Sequence, residues 1–218
     1  MLPFYYFNRA VLIFLVSLSL IMRGFQYKKA VQALNYFALK EGGEINKMKA
    51  IKLIWLSDRL HLRTFGRMIT NDTYFALKFG PVPSATRDLL GNSFSSLPEE
   101  TEYVLEYLDI DKQYYYNSKK QPYLKVFSQT DRDILNNVYD YYGKYNQYTL
   151  RDISHRFPEW KRWEAALKQD STSRFQMIME DFFEEEKEPA PLFEAEDQAL
   201  PIVKSIYFRT DNSEGNAK

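Results

Sequence analysis

His61 and His155 are the only histidines in the chain, and there is no cysteine, so any metal or nucleophile chemistry must be built on them or on carboxylates. Asp58 and His61 stand three residues apart, which on a helix sets them side by side. With His155 they could supply three ligands to a metal ion. Nothing resembles HExxH, however, and a hydrogen-bonded structural pair is the expected role. Ser154 and His155 are adjacent, and neighbours on a helix point about 100° apart, so they form no nucleophile–base pair. No GxSxG segment occurs, and Gly42-Gly43 lacks the flanks of a phosphate-cradling loop. The expectation is a protein that is not an enzyme, with no cofactor and no metal.

The element that positions Asp58 and His61 is a helix over 46–63. On a helical wheel Met48, Ile51, Ile54, Trp55 and Leu62 share one arc, and Leu53, Leu56 and Leu60 share another. Lys49, Lys52, Arg59 and Arg63 form the one narrow polar strip that remains. A helix this apolar around its circumference belongs in a core, which implies that Asp58 and His61 are at least partly buried and need partners. Gly66 supplies a left-handed cap, Asn71-Asp72 can cap a brief helical turn, and Gly80-Pro81-Val82-Pro83 reads as a stiff loop. Ser84 is the expected N-cap of a short helix ending near Gly91.

The order Lys29-Ala30, Tyr36-Phe37-Ala38, Asn46 to Lys49 and Lys52 to Leu62 is followed by Gly66, Ile69, Asp72, Ala76 and Gly80 to Ser84. In that order and spacing the chain resembles the SocA-like antitoxin family, also called the Panacea domain. Ser154-His155 with Trp160 is similar to the weaker second signature of that family. The resemblance covers roughly residues 26 to 167 and is most specific between 47 and 84. It implies a bacterial or phage-associated protein that neutralises a co-encoded toxin by direct contact. Asp58, His61, Asp72, His155 and Trp160 would be structural motif residues. Relatives pair with unrelated toxins, and protease adaptors are known among such antitoxins, so a protease is a further conceivable partner.

Around this centre, 218 residues with 45% hydrophobics suffice for one substantial domain. The absence of cysteine fits a reducing cytoplasm. Charge is uneven: residues 22–179 carry 24 basic and 18 acidic side chains, whereas 180–197 carry nine acidic and one basic. Residues 1–21 stand apart. Their apolar run from Ala10 to Met22 is too short for a comfortable membrane span and of signal-peptide length. Three readings compete: a start placed too far upstream with Met22 as the true one, a membrane or export signal, or an extra helix. The first is favoured because Met22 leads straight into the family-like segment. The expected domains are thus an extension at 1–21, the antitoxin-like domain at 22–183, and an acidic, partly disordered tail at 184–218.

Helices are expected over 26–40, from Thr130 to Gly143, from Thr149 to Phe157 and from Trp160, with an amphipathic segment at 174–183. The Tyr- and Val-rich stretches 103–116 and 123–127, separated by Asn117 to Lys120, read partly as a hairpin, although 99–108 also suits a helix. Leu200 to Phe208 is apolar enough to dock, and 210–218 is expected to be disordered. The fold class is mainly α (α+β), a helical bundle around a central buried helix with a small inserted hairpin.

Candidate partner contacts are the basic strip Lys49, Lys52, Arg59 and Arg63, the Gly80, Pro81, Val82 and Pro83 loop, and Tyr114, Tyr115 and Tyr116. The rival to an antitoxin is a helix-turn-helix DNA-binding regulator built on the helices after 130, presenting Lys161, Arg162 and Lys168. Trp160 and Trp163 fall where base-reading side chains would be needed, and the net charge is zero, so nucleic acid is not the expected partner.

Overall fold

A computed structural model describes residues 24–91, 97–110, 113–185, 191–193 and 199–215. The extension at 1–21, and with it the choice of start, lies outside the described residues. The central element is α2 (Lys47–Phe65), preceded by α1 (Tyr27–Lys40) and β1 (Glu44–Asn46). The Asn46 side chain accepts from the Met48 and Lys49 amides at its start, and Gly66, at φ 71°, closes its end. Every residue from Lys52 to Arg63 is buried. The fold is mainly α with small antiparallel sheets, and α2 is its buried axis.

After α2 come β2 (Tyr74–Leu77), β3 (Gly80–Pro83), α3 (Ser84–Leu90) and α4 (Pro98–Tyr107). The stiff loop expected at Gly80–Pro83 is therefore a strand, and Tyr74–Leu77 is its hairpin partner. A sheet edge tolerates such prolines because their missing N–H groups face away from the ladder. Ser84 is not the cap of α3, because the Asp72 carboxylate takes that role from across the chain. It accepts from the Ala85 and Thr86 amides at 2.9 and 2.7 Å.

The helical reading of 99–108 is the one realised. Pro98 occupies the first turn of α4, and the Leu97 amide donates to Glu100 Oε2 at 3.1 Å. The inserted β element is displaced accordingly: β4 (Leu108–Asp109) and β5 (Tyr115–Ser118) pair with each other, and β5 pairs with β1. Residues 124–126 form a 3-10 turn instead of a strand.

α5 (Gln129–Tyr142) starts from Ser128 in a reciprocal cap with Asp131, and α6 (Gln147–Ser154) starts from Asn146. Two short helices follow, α7 (Pro158–Lys161) and α8 (Glu164–Gln169). The segment expected to be amphipathic at 174–183 divides into β6 (Phe175–Gln176), which extends the β2–β3 sheet, and a 3-10 turn at Met179–Phe183. Finally α9 (Leu200–Gly215) packs on α2, with Tyr207 and Phe208 against Phe183. Residues 210–215 thus continue a helix where a disordered end was expected.

α1, α5, α6 and α9 surround α2, and buried polar groups tie them together. One is Asp131, whose carboxylate is fully buried and lies 2.7 Å from Lys29 Nζ, 2.6 Å from Arg67 and 3.1 Å from His61 Nε2. Burial alone would raise this carboxyl, but the His61 hydrogen bond and the surrounding cations outweigh it and hold the group well below the usual range. His61 Nδ1 donates to the Arg67 carbonyl at 2.8 Å. Burial pushes its imidazole below the ordinary value, against the pull of Asp131.

Candidate functional site

Of the motif residues, Asp58, Asp72, His155 and Trp160 lie around the β2–β3 hairpin, whereas His61 belongs to the Asp131 cluster. Asp58, fully buried on α2, accepts from the Ile69 and Thr70 amides at 2.8 and 2.9 Å, from the Thr70 hydroxyl, and from the Tyr74 hydroxyl at 2.9 Å. Burial raises its carboxyl to about 6, although these hydrogen bonds oppose the shift. The chain leaving α2 is thereby clasped to the helix, and Tyr74 opens β2. Asp72 then anchors the far end of the hairpin through α3. It also accepts the Thr86 hydroxyl at 2.7 Å.

From below, Lys52 Nζ donates to the Pro81 carbonyl at 2.7 Å. Its ammonium is buried with no carboxylate in ion-pair range among the described residues, and burial lowers it to about 7. From the side, Trp160 Nε1 donates to the Leu77 carbonyl at 2.9 Å, and His155 stacks on Trp160 at 3.7 Å with the rings 7° apart. Burial, then the Lys52 charge, lower His155 to about 4. Asp58, Asp72, Lys52, Trp160 and His155 are engaged with the chain's own backbone, neighbouring hydroxyls or one another, and Asp58, His61 and His155 do not meet at one point as metal ligands would. Among the described residues no group of three or more such side chains is placed to hold a metal ion.

Gly80 shows how closely the hairpin sits on its supports. Its φ is +94°, and an added Cβ would lie 2.4 Å from Ser154 Oγ and 2.8 Å from Lys52 Nζ. Gly80→Ala is expected to cost about 1–3 kcal/mol from backbone strain alone. A shift in the urea midpoint checks it, and an unchanged midpoint would show that the hairpin floats free of α2.

Lys52 gives the site a pH signature. In the unfolded chain its amine stays protonated to about 10.5 and in the fold only to about 7, so between those values the unfolded state binds more protons. Stability therefore rises with pH in this window, on the order of 1 kcal/mol per unit. In thermal melts from pH 7 to 10, the parent is expected to gain on Lys52→Met; parallel curves would contradict this.

The four basic residues expected to line a solvent strip do not. Lys49, Lys52, Arg59 and Arg63 are all buried. Lys49 donates to Glu41 and to the Gly143 carbonyl, both at 2.6 Å. Arg59 pairs with Glu159 at 2.9 Å, and Arg59 and Arg63 donate to carbonyls of Phe182 and Glu184. These are internal fasteners for distant chain segments, so the expected strip offers no surface to a partner. Of the tyrosines, Tyr114 (62%) and Tyr115 (39%) are exposed, whereas Tyr116 (4%) is buried.

The surface side chain this support presents is Phe79, 50% exposed at the hairpin tip and absent from the sequence-derived candidates. Its signal was available: a phenylalanine directly before a glycine-proline turn has no helix or strand face to bury it. Lys78 lies over its ring, and half-buried Phe75 and Val82, paired across the hairpin, continue the apolar surface. The helix-turn-helix arrangement is not formed: α7 and α8 are four and six residues long, and Trp160 faces inward. Lys161 and Lys168 pair with Glu164, and Arg162 pairs with Asp181.

A buried axial helix that uses its polar side chains to fix one projecting hairpin defines a mainly helical domain with small antiparallel sheets. The family profile described as "Antitoxin SocA-like, Panacea domain" matches residues 51–161, and the chain belongs to that family. The match covers Lys52, Asp58, Asp72, Gly80–Pro83, His155 and Trp160, the residues that build and hold the hairpin. No curated protein and no solved structure matches the chain. Among the described residues no helix is long and apolar enough to cross a membrane.

Proposed function

We propose that this protein neutralises a toxin by direct contact in the cytoplasm, docking it on the tip and outer face of the β2–β3 hairpin around Phe79. Family membership supports a protein partner in general. The observation that carries the specific reading is the direction of support: Lys52 and Trp160 hold the backbone of one hairpin, Asp58 and Asp72 fasten the chain that enters and leaves it, and its apolar tip faces solvent. A tip fixed in advance loses little entropy on docking, and an aromatic anchor at its centre has the chemistry of an interface hot spot. Tyr114 and Tyr115, on the other sheet, form a separate exposed patch that serves as the comparison surface.

The test is co-expression with the candidate toxin taken from the adjacent reading frame. Phe79→Glu is expected to abolish growth rescue while leaving the melting temperature within a few degrees of the parent, because the side chain is half exposed. Rescue that survives Phe79→Glu but fails in Tyr114→Ala/Tyr115→Ala would move the docking face to β5.

A further inference from the structure

The two edges of the β3-β2-β6 sheet differ in a way that bears on how a partner attaches. At the β3 edge, Pro81 and Pro83 stand opposite Ala76 and Tyr74, so the ladder to β2 is carried by Gly80 and Val82. The outward positions are the two prolines, which have no N–H, and the Pro81 carbonyl is already held by Lys52. This edge is closed to strand addition.

Among the described residues no strand pairs with the β6 edge. The Met177 amide donates to the Tyr74 carbonyl at 2.9 Å, which makes that pair a hydrogen-bonded one in the antiparallel ladder. Gln176, opposite Phe75, therefore turns its N–H and C=O away from β2; two residues on, the Ile178 carbonyl accepts from the Asp181 amide, while its N–H has no backbone partner among the described residues. Neither proline nor glycine occurs from Arg174 to Ile178, and Gln176 is exposed. Among the described residues, Arg174 lies 4.0 Å over the Phe75 ring but has no carboxylate partner, and Lys78 has none either. An open edge thus adjoins the hairpin's outer face, with two uncompensated cations beside it.

We propose that the β6 edge, at Gln176, takes an extended acidic segment of the protein partner as a fourth strand, main-chain hydrogen bonds going to Gln176 and Ile178 and a carboxylate going to Arg174. The occupant's sign follows from Arg174 and Lys78, which have no carboxylate partner among the described residues. Its extended form follows from the outward groups, which repeat every second residue at the spacing of a strand. This rests on the hairpin surface being the docking face, and it adds the mode of attachment.

The probe is a phage-displayed library of random twelve-residue peptides panned on the full chain. Enriched peptides are expected to carry Asp or Glu and to lose at least tenfold in affinity against Gln176→Pro, which removes the outward N–H but no bond to β2. They should bind Gln176→Ala like the parent and weaken against Arg174→Glu. If Gln176→Pro does not fold, exchange of the Gln176 amide in the parent decides: at least tenfold slowing by the peptide supports the assignment, and unchanged exchange overturns it. No enrichment, or equal binding to folded Gln176→Pro, also overturns it. Self-association of the chain alone that Gln176→Pro abolishes would replace the acidic segment by a second copy of the chain. If toxin rescue survives Gln176→Pro but fails in Phe79→Glu, strand addition is refuted and the hairpin face stands. Rescue that survives both refutes the docking face itself.

Discussion

Asp58→Ala is expected to remove most of the protein's stability. The Asp58 carboxylate receives two main-chain amides and two hydroxyls, all in the buried interior. The Thr70 and Tyr74 hydroxyls can rotate in search of other acceptors, but the Ile69 and Thr70 amides are fixed by the backbone. Each orphaned donor costs about 1–3 kcal/mol, so the loss is about 4–12 kcal/mol if all four are stranded. Against a typical domain stability of about 5–15 kcal/mol, that leaves little. Asp58→Asn is the informative companion. Its carbonyl oxygen can keep both amides while the hydroxyls turn to accept from its NH2 group, so it is expected to lose only about 1–2 kcal/mol.

The two variants also separate in their response to pH. With the folded carboxyl raised to about 6 from 3.8, the unfolded chain ionises first, and the parent loses stability as pH rises through that window. Asp58→Asn has no such group, so its deficit relative to the parent is expected to narrow between pH 4 and 7. Urea titrations at the two ends measure this directly. A deficit that widens instead would mean that the hydrogen bonds outweigh burial and the carboxylate favours the fold.

The same clasp shows what the sequence could and could not reveal. The limits of α2 were legible because Asn46, the apolar arcs and Gly66 are local signals of chain geometry. Burial of Asp58 and His61 followed from their place on that helix. The polarity of the strip was misjudged because lysine and arginine were assigned to solvent by residue type. The Gly143 carbonyl lies 94 residues from Lys49 and the Glu159 carboxylate 100 from Arg59, distances that a helical wheel does not encode. β3 was hidden because two prolines argue against a strand everywhere except at a sheet edge, and edge position is a tertiary fact. α4 was ambiguous because tyrosine and valine favour strands, while Pro98 with Glu99 and Glu100 marks a helix start. Glu159 and Asp131 were missed altogether as interior charges, although the serine three residues before Asp131 was a readable capping signal.

Glu159→Ala is the second change expected to be severe. Arg59 and Glu159 are both sealed from solvent, and Arg63 is buried one turn further along α2. Burial raises the Glu159 carboxyl above its ordinary value, with the Arg59 charge opposing that rise. Removing the carboxylate leaves two buried guanidinium groups whose remaining direct partners among the described residues are the Phe182 and Glu184 carbonyls and the Phe157 and Phe193 rings, at an expected cost of about 3–5 kcal/mol. Arg59→Met alone strands the carboxylate instead and is expected to cost a similar amount. The double variant Arg59→Met/Glu159→Leu should recover most of the loss, because apolar groups of similar size replace a desolvated ion pair at little net cost. A coupling energy of at least about 2 kcal/mol from denaturation of the parent, Arg59→Met, Glu159→Leu and the double variant would establish the pair as a unit. Amide exchange around 182–184 adds the spatial part: the single variants should loosen this segment together with α9, because Arg59 and Arg63 hold its carbonyls from inside the core. If the single losses simply add and the segment exchanges as before, the C-terminal chain is held by Phe182 and Phe183 alone, and the buried charges on α2 have no part in fastening it.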